Sequence, residues 1–168
     1  MNKQAAFMLA FATMLFGVAA VQFARFLRAW GQPDELAYFY DLSERKLFVA
    51  PRTRVPPIRG INNDEADGMR AVVISATGSP RDEAGRRIAY LEKYAPELKQ
   101  QLESRQTGAA APADTAGQIS RIAAQSMIFV RRLNEETWHA VNSTEAEKIM
   151  TEWQVPGADG KTAVVCSP

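Results

Sequence analysis

The chain has 168 residues, with 20 lysines and arginines against 19 aspartates and glutamates, and a formal net charge of +1. This balance lacks the basic excess of a nucleic-acid-binding protein and the acidic excess of a solvating tail, so neither class is expected. The single cysteine, Cys166, excludes an intramolecular disulfide and leaves the redox compartment open.

The first predicted element is an apolar segment at the N-terminus. Residues 4–24 lie between Lys3 and Arg25 and contain no charged side chain. As a helix this stretch would be ~31 Å long, which matches a hydrocarbon core of roughly 30 Å. The sequence therefore predicts a transmembrane or signal-anchor helix and a juxtamembrane break within residues 1–33, with the lipid bilayer as the partner of residues 4–24.

Two alternatives concern the same segment. A cleaved signal peptide would use Lys3 as its basic region, residues 5–16 as its apolar region and residues 18–20 as its cleavage site. The apolar run continues past that site, which favours a retained anchor. The short N-terminal region favours a single-pass protein whose domain is exported, on the periplasmic side, although the flanking charges nearly balance. A pilin-like filament subunit is a further alternative, but the glycine-phenylalanine cleavage site and the glutamate of pilins are missing.

A β-hairpin is predicted next. Apolar and aromatic runs at residues 36–42 and 47–50 flank a polar turn at residues 43–46, and Pro51 ends the second run. The aromatic side chains of the hairpin predict cross-strand and core packing rather than a ligand platform. They are Tyr38, Phe39, Tyr40 and Phe48.

The proline- and glycine-rich residues 51–68 predict an extended loop. The acidic residues at 64, 65 and 67 lack the alternating ligand spacing of a calcium loop, so a solvated turn is predicted there. The basic side chains of the loop are also predicted to be solvated, and the alternative is an envelope module that binds anionic lipid headgroups or an acidic partner through them. They are Arg52, Arg54 and Arg59.

A strand and two helices are predicted after this loop. Residues 70–75 contain consecutive β-branched side chains and predict a buried strand. Ser79 and Pro80 fit the N-cap and the first position of a helix. Apolar residues then recur at alternating spacings of four and three, which predicts one helical stripe. They are Ala84, Ile88, Leu91, Ala95, Leu98 and Leu102. Pro96 predicts a break before it and a second short helix to about residue 104.

Small residues at 107–117 predict a linker or surface loop between residues 34–106 and residues 118–168. In the last part, runs at residues 127–133 and 137–141 predict a second hairpin.

A helix and a strand complete the predicted elements. Asn142 is the predicted N-cap of the helix, with Glu145 three residues later. Residues 162–166 predict a short strand at the edge of the sheet.

The sequence offers no convincing catalytic, cofactor or metal site. His139 is the single histidine, and one histidine with one cysteine falls short of the roughly four ligands of a structural zinc site. A nucleophilic pair of Cys166 and His139 is disfavoured because Cys166 lies near the C-terminus. A small enzyme with an unrecognised site remains the alternative, and a pocket joining His139, Asp41 and another carboxylate would favour it.

Three stretches together resemble a family of uncharacterised bacterial single-pass membrane proteins. They are YFYDLSERKLFVAP at 38–51, GMRAVVISATGSPRDEAGRRIAYLEKYAPELK at 68–99 and IFVRRLNEETWHAVNSTEAEKIM at 128–150. The resemblance implies a membrane-anchored, extracytoplasmic domain with no assigned activity. The resemblance implies that relatives often carry Cys-x-x-Cys before the YLEKY stretch, where this chain reads Thr77-Gly78-Ser79-Pro80. A metal or redox role for that motif is therefore not expected here.

Together these patterns predict an α+β protein. An N-terminal transmembrane helix precedes a small domain of two β-hairpins, a further strand and three short helices. The predicted function is a non-enzymatic membrane-anchored subunit or interaction domain, with protein partners in a larger membrane or cell-envelope assembly, no cofactor and no nucleic acid.

Overall fold

The computed structural model describes residues 35–62, 64–108, 119–157 and 160–168. The predicted membrane segment and nearly all of the predicted linker at 107–117 lie outside the described residues. Within the described ranges, no helix is both long and apolar enough to cross a membrane. Leu36–Pro168 form one structural unit.

An antiparallel sheet is the main feature of this unit. Its described strands are β1 Leu36–Asp41, β2 Lys46–Pro51, β3 Gly68–Ser75, β4 Arg86–Tyr94, β5 Ile128–Arg131, β6 His139–Ala140 and β7 Val164–Val165. The order is β2-β1-β3-β4-β5-β6, with β7 paired to β3. The described helices are α1 Pro96–Thr107, α2 Arg121–Ser126 and α3 Thr144–Thr151, and a 3-10 turn, Glu152–Gln154, follows α3. The predicted α+β class is confirmed.

Several predicted elements are confirmed. The two hairpins form β1–β2 and β5–β6, and the predicted buried strand forms β3. α1 begins at Pro96, and the predicted C-terminal strand pairs with β3. The predicted cap of α3 is off by one residue: Ser143, not Asn142, accepts a hydrogen bond from the Ala146 amide at 3.2 Å.

The predicted helix after Pro80 is wrong, because residues 86–94 form strand β4. Val72 pairs with Tyr90 and Val73 pairs with Ile88, so one extra residue bulges from β4 between these pairs. A bulge shifts the alternation of side chains by one position. Ile88 and Leu91, three residues apart, therefore pack in the same cluster, as they would on one side of a helix.

The sheet has two different faces. On the helix face, Ala146 and Ile149 of α3 pack against Val130 of β5. On the opposite face, the core consists of side chains from β3, β4 and the C-terminal tail. Its buried members are Met69, Ala71, Val73, Leu91 and Cys166. We call this the tyrosine face, because Tyr38 and Tyr40 of β1 pack against that core.

Candidate functional site

The structure does not bring the sequence-derived candidates together. His139 lies on β6 and Asp41 ends β1, and strands β3, β4 and β5 lie between these two in the order of the sheet. Cys166 is buried, and its amide donates a hydrogen bond of 2.8 Å to the carbonyl of Val73. His139, Asp41 and Cys166 therefore lie in separate parts of the fold.

Asp41 stabilises the first hairpin. Its buried carboxylate accepts hydrogen bonds from the Ser43 hydroxyl at 2.9 Å, the Glu44 amide at 2.8 Å and the Ile61 amide at 2.7 Å. Burial by itself raises the pKa of this carboxyl, but the hydrogen bonds to the charged form outweigh that effect and the pKa is lowered. Asp41 is thus an ionised acceptor that connects the turn to the following loop.

The other acidic candidates also have local roles. Asp64 pairs with Arg59 at 2.6 Å, and both side chains are largely exposed. The carboxylate of Asp82 accepts from the Ala84 and Gly85 amides in the turn before β4. Among the described residues, no group of three or more His, Cys, Asp or Glu side chains is placed to hold a metal ion.

Arg70 organises the loop after β2, and sequence reasoning missed it. One of its terminal nitrogens donates to the carbonyls of Arg52 at 3.0 Å and Arg54 at 2.9 Å. Its other terminal nitrogen lies 3.5 Å from the carboxylate of Glu92 on β4. The basic loop is therefore held to the sheet through its main chain, while the Arg52 and Arg54 side chains are exposed.

Two cations stack on one indole in the β4–β5–β6 part of the sheet. The Lys93 ammonium lies 4.5 Å from the ring centroid of Trp138, and the Arg131 guanidinium lies 4.8 Å from it. Burial and, secondarily, Arg131 lower the pKa of Lys93. Cation–aromatic contacts of this kind are attractive, and here they join side chains of β4 and β5 to Trp138, the residue before β6. Packing between neighbouring strands is therefore enough to explain why Lys93 and Arg131 lie on Trp138.

β2 is an outermost strand among the described strands, and its outer edge carries an exposed apolar surface. Leu47 and Val49 are 41% and 45% exposed, and both project on the tyrosine face because they pair with Tyr40 and Tyr38. Leu36, paired with Pro51 at the end of the same hairpin, is 52% exposed. We call Leu47, Val49 and their outward main-chain groups the β2 edge.

The outer position of β2 was not predictable from local sequence. It depends on β3 pairing with β1 on the opposite side, a contact between distant parts of the chain. The sequence nevertheless contains a signal at residues 47–50. A strand with one solvated face normally alternates apolar and polar residues, whereas Leu47-Phe48-Val49-Ala50 is apolar throughout.

The fold and this edge define a class: an antiparallel α+β domain whose outermost strand, among the strands that the structure describes, exposes apolar side chains. No protein-family model, no curated protein and no solved structure matches the chain. The geometry of the described residues therefore carries the functional proposal, and membership of the family that the sequence resembles stays a prediction.

Proposed function

We propose that this protein is a non-enzymatic, membrane-anchored interaction domain that joins a larger membrane or cell-envelope assembly through the β2 edge. The apolar residues 4–24 supply the anchor in this proposal. The observation that carries it is the exposure of Leu47 and Val49, side by side on one face of an outermost strand.

Edge strands of soluble domains are usually protected against association by charges, prolines or bulges. Here the charge and the proline stand at the two ends of the strand, at Lys46 and Pro51, and the four residues between them are apolar. Exposed apolar side chains next to an unpaired strand edge combine two features of an association surface. This combination supports a binding role for β2.

The second support is the position of β2 in the chain. The domain begins at Leu36, shortly after the predicted anchor, and Leu36 pairs with Pro51 at the end of β2. A short connection confines an anchored domain near the bilayer and raises its effective concentration toward neighbouring membrane proteins. A surface of modest area is then sufficient for association.

The test is co-purification of the full-length chain in mild detergent. We expect stoichiometric protein that co-purifies with the wild type to fall at least about tenfold with the double substitution Leu47→Lys and Val49→Lys, because lysine on an edge strand opposes pairing. Ile122→Lys is the matched control, since Ile122 is 82% exposed on α2. Equal recovery from the wild type and the double variant would exclude the β2 edge as the contact surface.

A further inference from the structure

We infer that the occupant of the β2 edge is the β2 edge of a second copy of the chain, paired antiparallel about a two-fold axis at Phe48. The inference rests on the proposed function, because it names the partner of the same surface. It predicts a specific strand register, which follows from the direction of the main-chain groups of the hairpin.

The hydrogen bond from the Leu42 amide to the Asp67 carbonyl, at 3.3 Å, fixes this direction. It shows that Leu42 presents its main-chain groups toward the β3 side of β1. Along a strand, successive residues present these groups alternately to one side and to the other. The N–H and C=O groups of Tyr40 therefore point toward β3, and those of Phe39 point toward β2. The N–H and C=O groups of Phe48, which pairs with Phe39, point back toward β1.

Leu47 and Val49 consequently direct their N–H and C=O groups away from β1, toward the outer edge. A two-fold axis at Phe48 places Leu47 opposite Val49 of the second copy, and Val49 opposite Leu47 of the second copy. In an antiparallel ladder each such pair exchanges two hydrogen bonds. The same register brings the two exposed apolar side chains of each chain into cross-strand contact.

Neighbouring registers provide hydrogen-bond partners for fewer of the outward N–H and C=O groups of Leu47 and Val49. An axis at Leu47 would place Val49 opposite Arg45, which has a φ of 52° in the turn and is not extended. An axis at Val49 would place Leu47 opposite Pro51, which has no amide hydrogen to donate. The register centred on Phe48 is therefore favoured over both.

The charges at the edge are compatible with this pairing. Lys46 lies opposite Ala50 of the second copy and keeps its own partner, Glu44, at 3.8 Å. The two Lys46 side chains belong to opposite ends of the paired segment, so no like charges face each other. Two-fold pairing of identical patches is also the commonest way in which identical chains associate.

The paired segment is short, so the area buried is far below that of a standard permanent interface. Association is therefore weak in dilute solution and is assisted by confinement of both copies to one bilayer. This expectation makes chemical capture in the membrane the appropriate measurement.

The experiment uses two differently tagged full-length chains in one membrane, both carrying Cys166→Ala so that the introduced thiols are the only ones. One chain carries Leu47→Cys and the other carries Val49→Cys. Directly opposite positions lie at disulfide distance in antiparallel strands. Under mild oxidation we expect the mixed pair to crosslink at least about fivefold more than Leu47→Cys with itself or Val49→Cys with itself. The matched control is Ile122→Cys, which should not crosslink above background.

Each outcome is informative. Preferential 47–49 crosslinks support the inference. Equal or absent crosslinking in every combination overturns it, as does a dimer in the detergent-solubilised full chain that persists unchanged with Leu47→Lys. If a different protein co-purifies and is lost with Leu47→Lys while no 47–49 crosslink forms, the homodimer is wrong and the proposed function stands. If neither association depends on position 47, both fail.

Discussion

At the scale of single residues, Asp41 has a carboxylate of the kind that acts in catalysis, but here the carboxylate stabilises a turn. Its carboxylate is completely buried and accepts hydrogen bonds from the Glu44 and Ile61 amides and from Ser43. Asp41 is the last residue of β1, while Ile61 lies in the loop after β2. One side chain therefore fixes both the turn of the first hairpin and the return of the chain toward β3.

We predict that Asp41→Ala lowers the free energy of unfolding by about 2–4 kcal/mol at neutral pH, because the amides of Glu44 and Ile61 lose their acceptor. Chemical denaturation of the full chain measures this change. Asp64→Ala is the control, since its carboxylate is 88% exposed and pairs only at the surface, so a change below about 0.5 kcal/mol is expected. Similar effects of the two substitutions would contradict the assigned role of Asp41.

The pH dependence of Asp41 has a defined sign. Its pKa is lowered in the folded state from an ordinary value of 3.8, so the folded chain binds this proton more weakly than the unfolded chain. The stabilisation is fully present above that ordinary value and is lost as the pH falls through the lower folded pKa. The difference in stability between the wild type and Asp41→Ala should therefore shrink below about pH 4.

At the scale of elements, the loop after β2 depends on Arg70 of β3. The guanidinium donates to two carbonyls of the loop, approaches Glu92 and lies 5.9 Å from the ring centroids of Phe39 and Tyr94. Burial, followed by the charge of Glu92, raises the pKa of Tyr94 to about 12. Tyr94 is therefore neutral at physiological pH, and Arg70 interacts with a neutral ring.

We predict that Arg70→Met accelerates amide hydrogen exchange in residues 52–55 and lowers the free energy of unfolding by about 2–3 kcal/mol, because the two carbonyls lose charged donors. Arg70→Lys should not restore protection, since one ammonium does not reproduce the fork of a guanidinium. Arg87→Met, on an exposed position of β4, is the control. Unchanged exchange in the loop with Arg70→Met would show that the loop is held by other contacts.

The elements also show how far the sequence determines this fold. Both hairpins were predictable, because each is encoded by two apolar runs around a local polar turn. β4 was not, because its bulge gives Ile88 and Leu91 the spacing of a helix. The β2 edge was also missed, since its exposure depends on the place of β1 and β3 in the sheet. Local patterns specify strands and turns, whereas strand order depends on contacts between distant segments.

At the scale of the whole domain, the parts of the chain before and after residues 107–117 share one sheet. β4 pairs with β5 from Leu91 opposite Arg131 to Tyr94 opposite Ile128. The Tyr94 amide also donates to the carbonyl of Pro56, and the Ala95 amide donates to that of Met127. Segments on both sides of residues 107–117 therefore meet along β4 and β5.

Arg132, directly after β5, connects the sheet with the helix layer. Its guanidinium makes two hydrogen bonds of 2.7 Å to the carboxylate of Glu152, and it also binds Glu135 at 2.6 Å and Glu145 at 3.2 Å. The hydrogen bonds from Arg132 lower the pKa of Glu152, against the opposing effect of burial. Three carboxylates around one guanidinium repel each other when that cation is removed.

We predict that Arg132→Gln lowers the free energy of unfolding by about 1 kcal/mol at pH 7, a value limited by solvent screening of partly exposed groups. The folded pKa of Glu152 lies below its ordinary value of 4.5, so the stabilisation is complete above that value and disappears as the pH falls through the folded pKa. Urea denaturation should therefore separate the variant from the wild type at pH 7, and the difference should shrink as the pH falls below 4.5. Lys148→Gln removes a cation 4.0 Å from Glu145 that is largely exposed, so it should have little effect at either pH. An equal loss from both substitutions would mean that net charge, rather than the geometry at Arg132, joins the helix layer to the sheet.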